Sequence, residues 1–355
     1  MGISTRVKIG KLELKNPVMV ASGTFGPEYG ELVDIERLGA IVAKTITLKP
    51  RQGNTPPRLV ETAGGLINSI GLENPGLESF IKEKLPQISK FKIPVIASIS
   101  ADTTEEFKEL VCRLNKADID AIELNLSCPN VRTQSHKDTK TQRHKDTSHR
   151  SNALISQDVE ATYNSVKAVR NETKKTIITK LTPNVTDITE IARAAEDAGS
   201  DVISLVNTFM AMAVDIKTRT PKLCAVTGGL SGPAIKPIAL RMVWEVFNKV
   251  KIPIVGIGGI MDYRDALEFI MCGATAVQIG TANFINPKAA TEVIDGIDKY
   301  LRENKINDID MLVGALAVSD KMSLRAKSPK GTERSNLKKE VASSSRHLRW
   351  RNSSQ

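Results

Sequence analysis

Glu123-Leu124-Asn125-Leu126-Ser127-Cys128-Pro129-Asn130 brings a thiol, a hydroxyl and two side-chain amides into one short stretch. The residues leading into it, Ala121–Leu126, are an apolar run of strand length, so the polar groups begin where a strand gives way to a loop. In α/β enzymes the chemistry gathers at the carboxyl ends of strands. A thiol in that position, flanked by amides able to hold a polar ring, reads as a nucleophile or a proton acceptor. A lone cysteine is more often an inert buried side chain. The choice between these depends on what else the chain brings to the same place.

Two lysines, Lys44 and Lys180, end otherwise apolar strands. Lysine is rarely buried without a partner, so each calls for an anion or an electron-rich ring; the plain alternative is a rim lysine that snorkels to water. Glycines mark the ends of two later strands, in Val255-Gly256-Ile257-Gly258-Gly259 and Gly280-Thr281. Thr227-Gly228-Gly229-Leu230-Ser231-Gly232 precedes a helical stretch on the same side. Each cluster alone could be a tight turn, but together their backbone N–H groups can approach a phosphate, as barrels do between their last two strands. A ligand with a phosphate at one end and a ring that wants lysines and amides at the other is flavin mononucleotide, FMN.

The elements that must position these groups repeat as a short apolar strand, a loop rich in Gly, Asn, Ser or Thr, and an amphipathic stretch. The predicted strands are Pro17–Ser22, Ala40–Thr47, Pro94–Ile99, Ala121–Leu126, Thr176–Leu181, Asp201–Asn207, Pro253–Ile257 and Ala276–Gly280. Predicted helices are Thr104–Lys116, Asp158–Thr173, Asp187–Ala198, Lys236–Lys249, Tyr263–Met271 and Pro287–Glu303. Eight such units imply a parallel sheet buried on both faces, and a closed (β/α)8 TIM barrel is the economical form. Val7–Leu14, alternating around Gly10-Lys11, reads as a hairpin before it. Extra residues occupy the second, fourth and sixth connections, at Pro50–Leu72, Val131–Gln157 and Asp215–Gly232. The second and sixth read as added hairpins.

The formal net charge is +10. Residues 132–150 hold six Lys/Arg against two Asp, and residues 321–355 hold ten against two Glu, so the remainder of the chain is slightly acidic. The basic character belongs to an insertion and a tail, which argues against a nucleic-acid-binding body. Met1–Lys8 has no apolar signal core, and no segment approaches the ~18 apolar residues of a membrane span. Cys112, Cys128, Cys224 and Cys272 are dispersed, giving neither a disulfide framework nor an iron–sulfur or zinc pattern. A cytoplasmic protein with no metal centre of its own is expected. Residues 1–318 read as one barrel domain and 319–355 as a basic, disordered tail.

At this point several motifs coincide with a known family. Lys44-Thr45-Ile46-Thr47-Leu48, Leu66-Ile67-Asn68-Ser69-Ile70-Gly71-Leu72-Glu73-Asn74-Pro75-Gly76, Asn125-Leu126-Ser127-Cys128-Pro129-Asn130 and Thr227–Ala234 together resemble class 1 dihydroorotate dehydrogenase. With Lys217-Thr218-Arg219 and Ile235-Lys236-Pro237 the match resembles the FMN-binding catalytic subunit of class 1B. It covers roughly residues 6–131 and 157–310, with the motifs in the family's order.

The resemblance implies that dihydroorotate is oxidised to orotate, with Cys128 removing the proton from C5 while a hydride passes from C6 to FMN. It assigns Lys44, Asn68, Asn125, Asn130, Asn207 and Thr208 to the substrate. To the flavin it assigns Ala21, Ser22, Gly23, Lys44, Thr45, Ser98, Asn125 and Lys180, and to its phosphate end Gly232, Gly258, Gly259, Gly280 and Thr281. A thiol near pKa ~8.5 suits the base because local charge can tune it toward neutrality. The resemblance further implies a homodimer and an electron-transfer subunit carrying FAD and an iron–sulfur cluster, through which electrons reach NAD.

One loop departs from the family. After Asn130 the family has a short glycine-containing loop, whereas here no Gly lies between Asn130 and Ser156, and His-Lys-Asp-Thr occurs at 136–139 and again at 144–147. This longer, low-complexity segment is expected to be disordered or poorly packed. It stands where a lid should close over substrate. Two further expectations are therefore a flavin-binding scaffold whose turnover is impaired, or another FMN-barrel oxidoreductase acting on a related pyrimidine.

Overall fold

The computed structural model describes residues 2–126 and 155–317, most of them in one compact unit, Met1–Ala315. The low-complexity segment after Asn130 lies outside the described residues except for its end, Ile155–Gln157, which forms a short 3-10 turn with Ser156 buried, where a disordered or poorly packed stretch was expected. The tail from Ser319 lies outside them too, as do Cys128 and Asn130 themselves. Among the described residues no helix is long and apolar enough to cross a membrane.

The chain begins with the expected hairpin, β1 (Val7–Ile9) and β2 (Leu12–Leu14), paired antiparallel. Val7, Ile9, Leu12 and Leu14 face the core while Lys8 and Glu13 face water, the two-residue alternation of a half-buried strand. In chain order there follow β3 (Val18–Val20), β4 (Ala40–Val42), β5 (Leu59–Thr62), β6 (Gly65–Asn68), β7 (Val95–Ile99), β8 (Ala121–Asn125) and β9 (Thr176–Lys180). Then come β10 (Val202–Leu205), β11 (Phe209–Met212), β12 (Val214–Asp215), β13 (Thr220–Pro221), β14 (Thr227–Ser231), β15 (Ile254–Ile257) and β16 (Ala276–Ile279).

Eight of these close a barrel in the order β3-β4-β7-β8-β9-β10-β15-β16, with β16 returning to β3. All its pairings are parallel, and every residue of the eight strands is buried. Helices shield the outside, as a parallel sheet requires. They are α1 (Gly76–Ser79) and α2 (Leu85–Ile88), joined by a π turn over Phe80–Lys84, then α3 (Thr104–Leu114), α4 (Val159–Glu172) and α5 (Ile188–Asp197). The last four are α6 (Lys236–Phe247), α7 (Tyr263–Met271), α8 (Ala282–Ile285) and α9 (Ala289–Glu303). In α3 the buried residues Phe107, Leu110, Val111 and Leu114 recur at three- and four-residue steps, the stripe that lays a helix on a sheet. Its start is fixed by Thr103, whose hydroxyl accepts from the Glu106 N–H, a cap worth about 1 kcal/mol.

The eight predicted strands are present, trimmed by one to five residues. Ala40–Thr47 shortens most: it leaves the sheet after Val42, and Ile46 makes only an isolated bridge to Ile99. The helical stretch between β6 and β7 escaped the periodicity because Pro86 interrupts it; the proline sits directly after the π turn, at the second position of α2. The added segments of the second and sixth connections form a single structure. β5 and β6 pair with β11 and β14 in one antiparallel sheet, ordered β11-β14-β6-β5, which stands as an arm over the barrel mouth.

Candidate active site

The carboxyl ends of the barrel strands and the arm enclose a cavity of about 950 Å³. One end is made of backbone. After β15, Gly258 and Gly259 have φ of +130° and +74°. A Cβ on Gly259 would stand 2.8 Å from the Gly232 carbonyl oxygen and 2.8 Å from Lys236 Cβ, so only glycine lets these loops meet. Gly280 and Thr281 close β16 beside them, and the Thr281 hydroxyl donates to Ser231 Oγ at 2.8 Å, tying the loop after β16 to the end of β14. Lys236, which opens α6, donates to Asp265 at 2.6 Å and sits 2.9 Å from Glu268. The Asp265 carboxylate that accepts from it holds the ammonium's pKa above its ordinary value.

The other end is made of side chains joined in a relay. Asn125, at the end of β8, is nearly buried; its Nδ2 donates to Thr45 Oγ1 at 3.2 Å, and its Oδ1 accepts from Asn207 Nδ2 at 3.4 Å. Thr45 also shares a 2.9 Å hydrogen bond with Ser98 and lies 3.4 Å from the Ser22 hydroxyl. Asn207 Oδ1 accepts from the Thr208 N–H, and the Thr208 carbonyl accepts from Asn184 Nδ2 at 3.0 Å. Asn68 lines the same space from the arm, with its Nδ2 donating to the Gly229 carbonyl at 3.2 Å. Lys180, at the end of β9, lines the cavity with its Nζ 4.0 Å from Glu123 Oε1.

The structure therefore brings together Ala21, Ser22, Gly23, Lys44, Thr45, Asn68, Asn125, Lys180, Asn207, Thr208, Gly258, Gly259, Gly280 and Thr281 around one cavity. Two of the expected flavin contacts stand one step back. Ser98 lies fully buried behind Thr45, and Gly232 (φ +96°) packs its backbone against Gly65 and Gly259 while its neighbours Ser231 and Pro233 line the wall. Gly228 and Gly229 differ from the phosphate-loop expectation. They lie inside β14, and a Cβ at either would collide with the Asn68 carbonyl or the Thr208 hydroxyl, so their small size serves packing. Cys128 and Asn130 fall outside the described residues, just beyond Leu126. The sequence reading missed Arg58, Glu61 and Glu73, which enter the cavity from the arm, and Phe284 and Ile285 at its rim. It also missed Glu123 and Gln278 beneath its floor; a charged or amide side chain inside an apolar strand was the available signal for both.

Chemically, the arrangement offers a backbone cradle for an anion, two cations, and amides that can hold a flat polar ring between them. The sequence model of the family described as dihydroorotate dehydrogenase matches residues 4–301. A protein of Caldicellulosiruptor saccharolyticus named dihydroorotate dehydrogenase B (NAD(+)), catalytic subunit, is 52% identical over 318 residues, covering 89% of this chain and 100% of the relative. Proteins with the same name from Trichlorobacter lovleyi and Geobacter sulfurreducens are 49% and 48% identical over 87% and 88% of this chain, and 97% and 98% of their own lengths. This chain belongs to the dihydroorotate dehydrogenase family, in the B branch that these relatives represent.

Proposed function

We propose that this chain oxidises dihydroorotate to orotate with bound FMN, as the catalytic subunit of a larger assembly. One observation carries the proposal. A single cavity has a glycine cradle at one end and Lys44, Asn68, Asn125, Lys180 and Asn207 around the other, in a chain about half identical to relatives named for that reaction. The cradle fits a phosphate group, since Gly259 leaves no room for a side chain where the loop after β15 meets the Gly232–Lys236 segment. FMN, when bound, supplies the acceptor for the hydride that leaves C6 of dihydroorotate.

The chain's own residues do the rest. Cys128 takes the proton from C5, a step that a positioned base accelerates by about 10²–10⁴. Asn68, Asn125, Asn130 and Asn207, with Thr208, hold the pyrimidine and its carboxylate in register with the base. Each amide already has one hydrogen bond directed by the fold where the described residues include it, so little ordering remains to be done on binding. Lys44 serves the substrate carboxylate and the flavin edge, and Lys180 places positive charge where the flavin ring becomes electron-rich.

The onward path of the electrons belongs to a partner. The four dispersed cysteines suit neither an iron–sulfur cluster nor a disulfide framework, so FAD, a cluster and the route to NAD are assigned to a second subunit. Exposed apolar side chains on the arm, Leu59, Met210 and Met212, with Ile216 close by in sequence, support self-association as a homodimer. The free cysteines among the described residues fit the reducing conditions of a cytoplasmic enzyme.

The test is anaerobic. Purified protein should carry yellow flavin that dihydroorotate bleaches. Bound FMN that dihydroorotate leaves oxidised would replace this reading with a flavin-binding scaffold, and bleaching by a different pyrimidine alone would redirect the substrate assignment.

A further inference from the structure

Beneath the cavity floor lies a carboxylate that the proposed reaction does not use. Glu123 is completely buried in β8. Its Oε1 accepts from the Ser98 hydroxyl at 3.0 Å and its Oε2 from Gln278 Nε2 at 3.0 Å. These two neutral donors satisfy its hydrogen bonding but not its charge, and a buried carboxylate without a counter-charge is costly. The one cation beside it among the described residues is Lys180, 4.0 Å from Oε1 and itself almost wholly buried. Lys180 lines the cavity, whereas Glu123 does not. The carboxylate therefore stands behind the ammonium, on the side away from the ligand.

We infer that Glu123 is the positioning residue that holds the Lys180 side chain at the cavity wall beside the flavin, so that its charge is in place before electrons arrive. The inference rests on the FMN reading above. Without a counter-ion, a buried ammonium is costly, and its long stem can swing the charge toward water. The other charged groups around Lys180 do not replace Glu123. Its register partner on β10 is Ser204, which carries no charge, and on β8 it is Asn125. Lys44 lines the same cavity with positive charge and cannot anchor an ammonium, while Arg58, Glu61 and Glu73 enter from the arm. The relay also runs from Glu123 through Ser98 to Thr45, which Asn125 contacts, so the carboxylate is fixed to the same frame as the ligand groups.

The experiment measures the midpoint potential of bound FMN in the full-length protein at one pH. Lys180→Met should shift the potential in the wild-type background, and the shift should shrink in a Glu123→Gln background, where nothing holds the lysine's charge at the cavity wall. Glu123→Asp, which keeps the carboxylate, should restore most of the shift, a rescue that a merely space-filling role would not give. An equal Lys180→Met shift in the wild-type and Glu123→Gln backgrounds, each with bound FMN, would overturn the inference.

The pairing itself is decided without flavin, by a double-mutant cycle on thermal unfolding of the FMN-free protein. Lys180→Met should lower the melting temperature by leaving Glu123 unpaired, and adding Glu123→Gln should recover most of the loss. Additive losses would overturn the pairing. Failure of the wild type to bind FMN would instead overturn the functional reading, with the cycle still deciding the pair.

Discussion

Gly23 and Lys44 are packed so closely that a Cβ on Gly23 would stand 3.0 Å from the Lys44 ammonium nitrogen and 3.1 Å from its Cδ. The loop after β3 thus fixes where the lysine beyond β4 can lie. Gly23 also has φ of +77°, a conformation that a side chain strains by about 1–3 kcal/mol. Gly23→Ala should therefore push Lys44 aside while the barrel stays folded. FMN affinity and the KM for dihydroorotate should each worsen by about tenfold, the factor that 1.4 kcal/mol gives. Fluorescence titration with FMN checks the first and steady-state kinetics the second; unchanged values in both would show that Lys44 adapts without loss.

Cys128→Ala should separate flavin binding from turnover. FMN content should match the wild type, and flavin reduction by dihydroorotate should slow by about 10²–10⁴. Cys128→Ser should act faster at high pH than at neutral pH, because a hydroxyl needs a more alkaline medium than a thiol to accept a proton. Single-turnover bleaching over a pH series measures both. Equal rates in Cys128→Ala and wild type would remove Cys128 from the reaction.

Much of this arrangement was legible in the residues because buried parallel strands read as continuous apolar runs, and Lys44, Lys180 and the glycines interrupt those runs where a ligand is met. The arm was legible only as two separate hairpins. Its sheet depends on Asn68 meeting Gly229 and Leu66 meeting Ser231, contacts across more than 160 residues that no local pattern encodes. The same non-local pairing explains why Gly228 and Gly229 looked like phosphate-loop glycines. Their missing side chains make room for the Asn68 carbonyl and for Thr208, which only the assembled sheet brings near. Glu123 was visible as a charge inside an apolar strand, but its partners Ser98, Gln278 and Lys180 come from three other strands.

Asn207 is the joint between the substrate side of the cavity and the rest of the relay, donating to Asn125 and accepting from the Thr208 N–H. Asn207→Ala removes both contacts and any amide offered to the pyrimidine. The KM for dihydroorotate should rise by about tenfold or more, since losing one hydrogen bond in a desolvated site costs about 1–3 kcal/mol. FMN content should change little, because the glycine cradle at the other end is untouched. Loss of FMN together with substrate binding would instead place Asn207 in the flavin's support.

Lys236 gives a pH dependence whose sign follows from its surroundings. The Asp265 carboxylate that accepts from it is the main cause of a pKa raised above the ordinary 10.5; burial opposes the rise and Glu268 adds to it. A lysine with a raised folded pKa contributes stability that is fully present below its unfolded pKa and disappears as the pH climbs through the folded value. Lys236→Met should therefore be less stable than wild type at pH 7, by about 1 kcal/mol for a partly exposed pair. The deficit should hold up to about pH 10 and close above the ordinary lysine pKa. Urea unfolding across the pH series measures the stability difference. A deficit that persists unchanged in strong alkali would assign the effect to packing of the lysine stem, not to its charge.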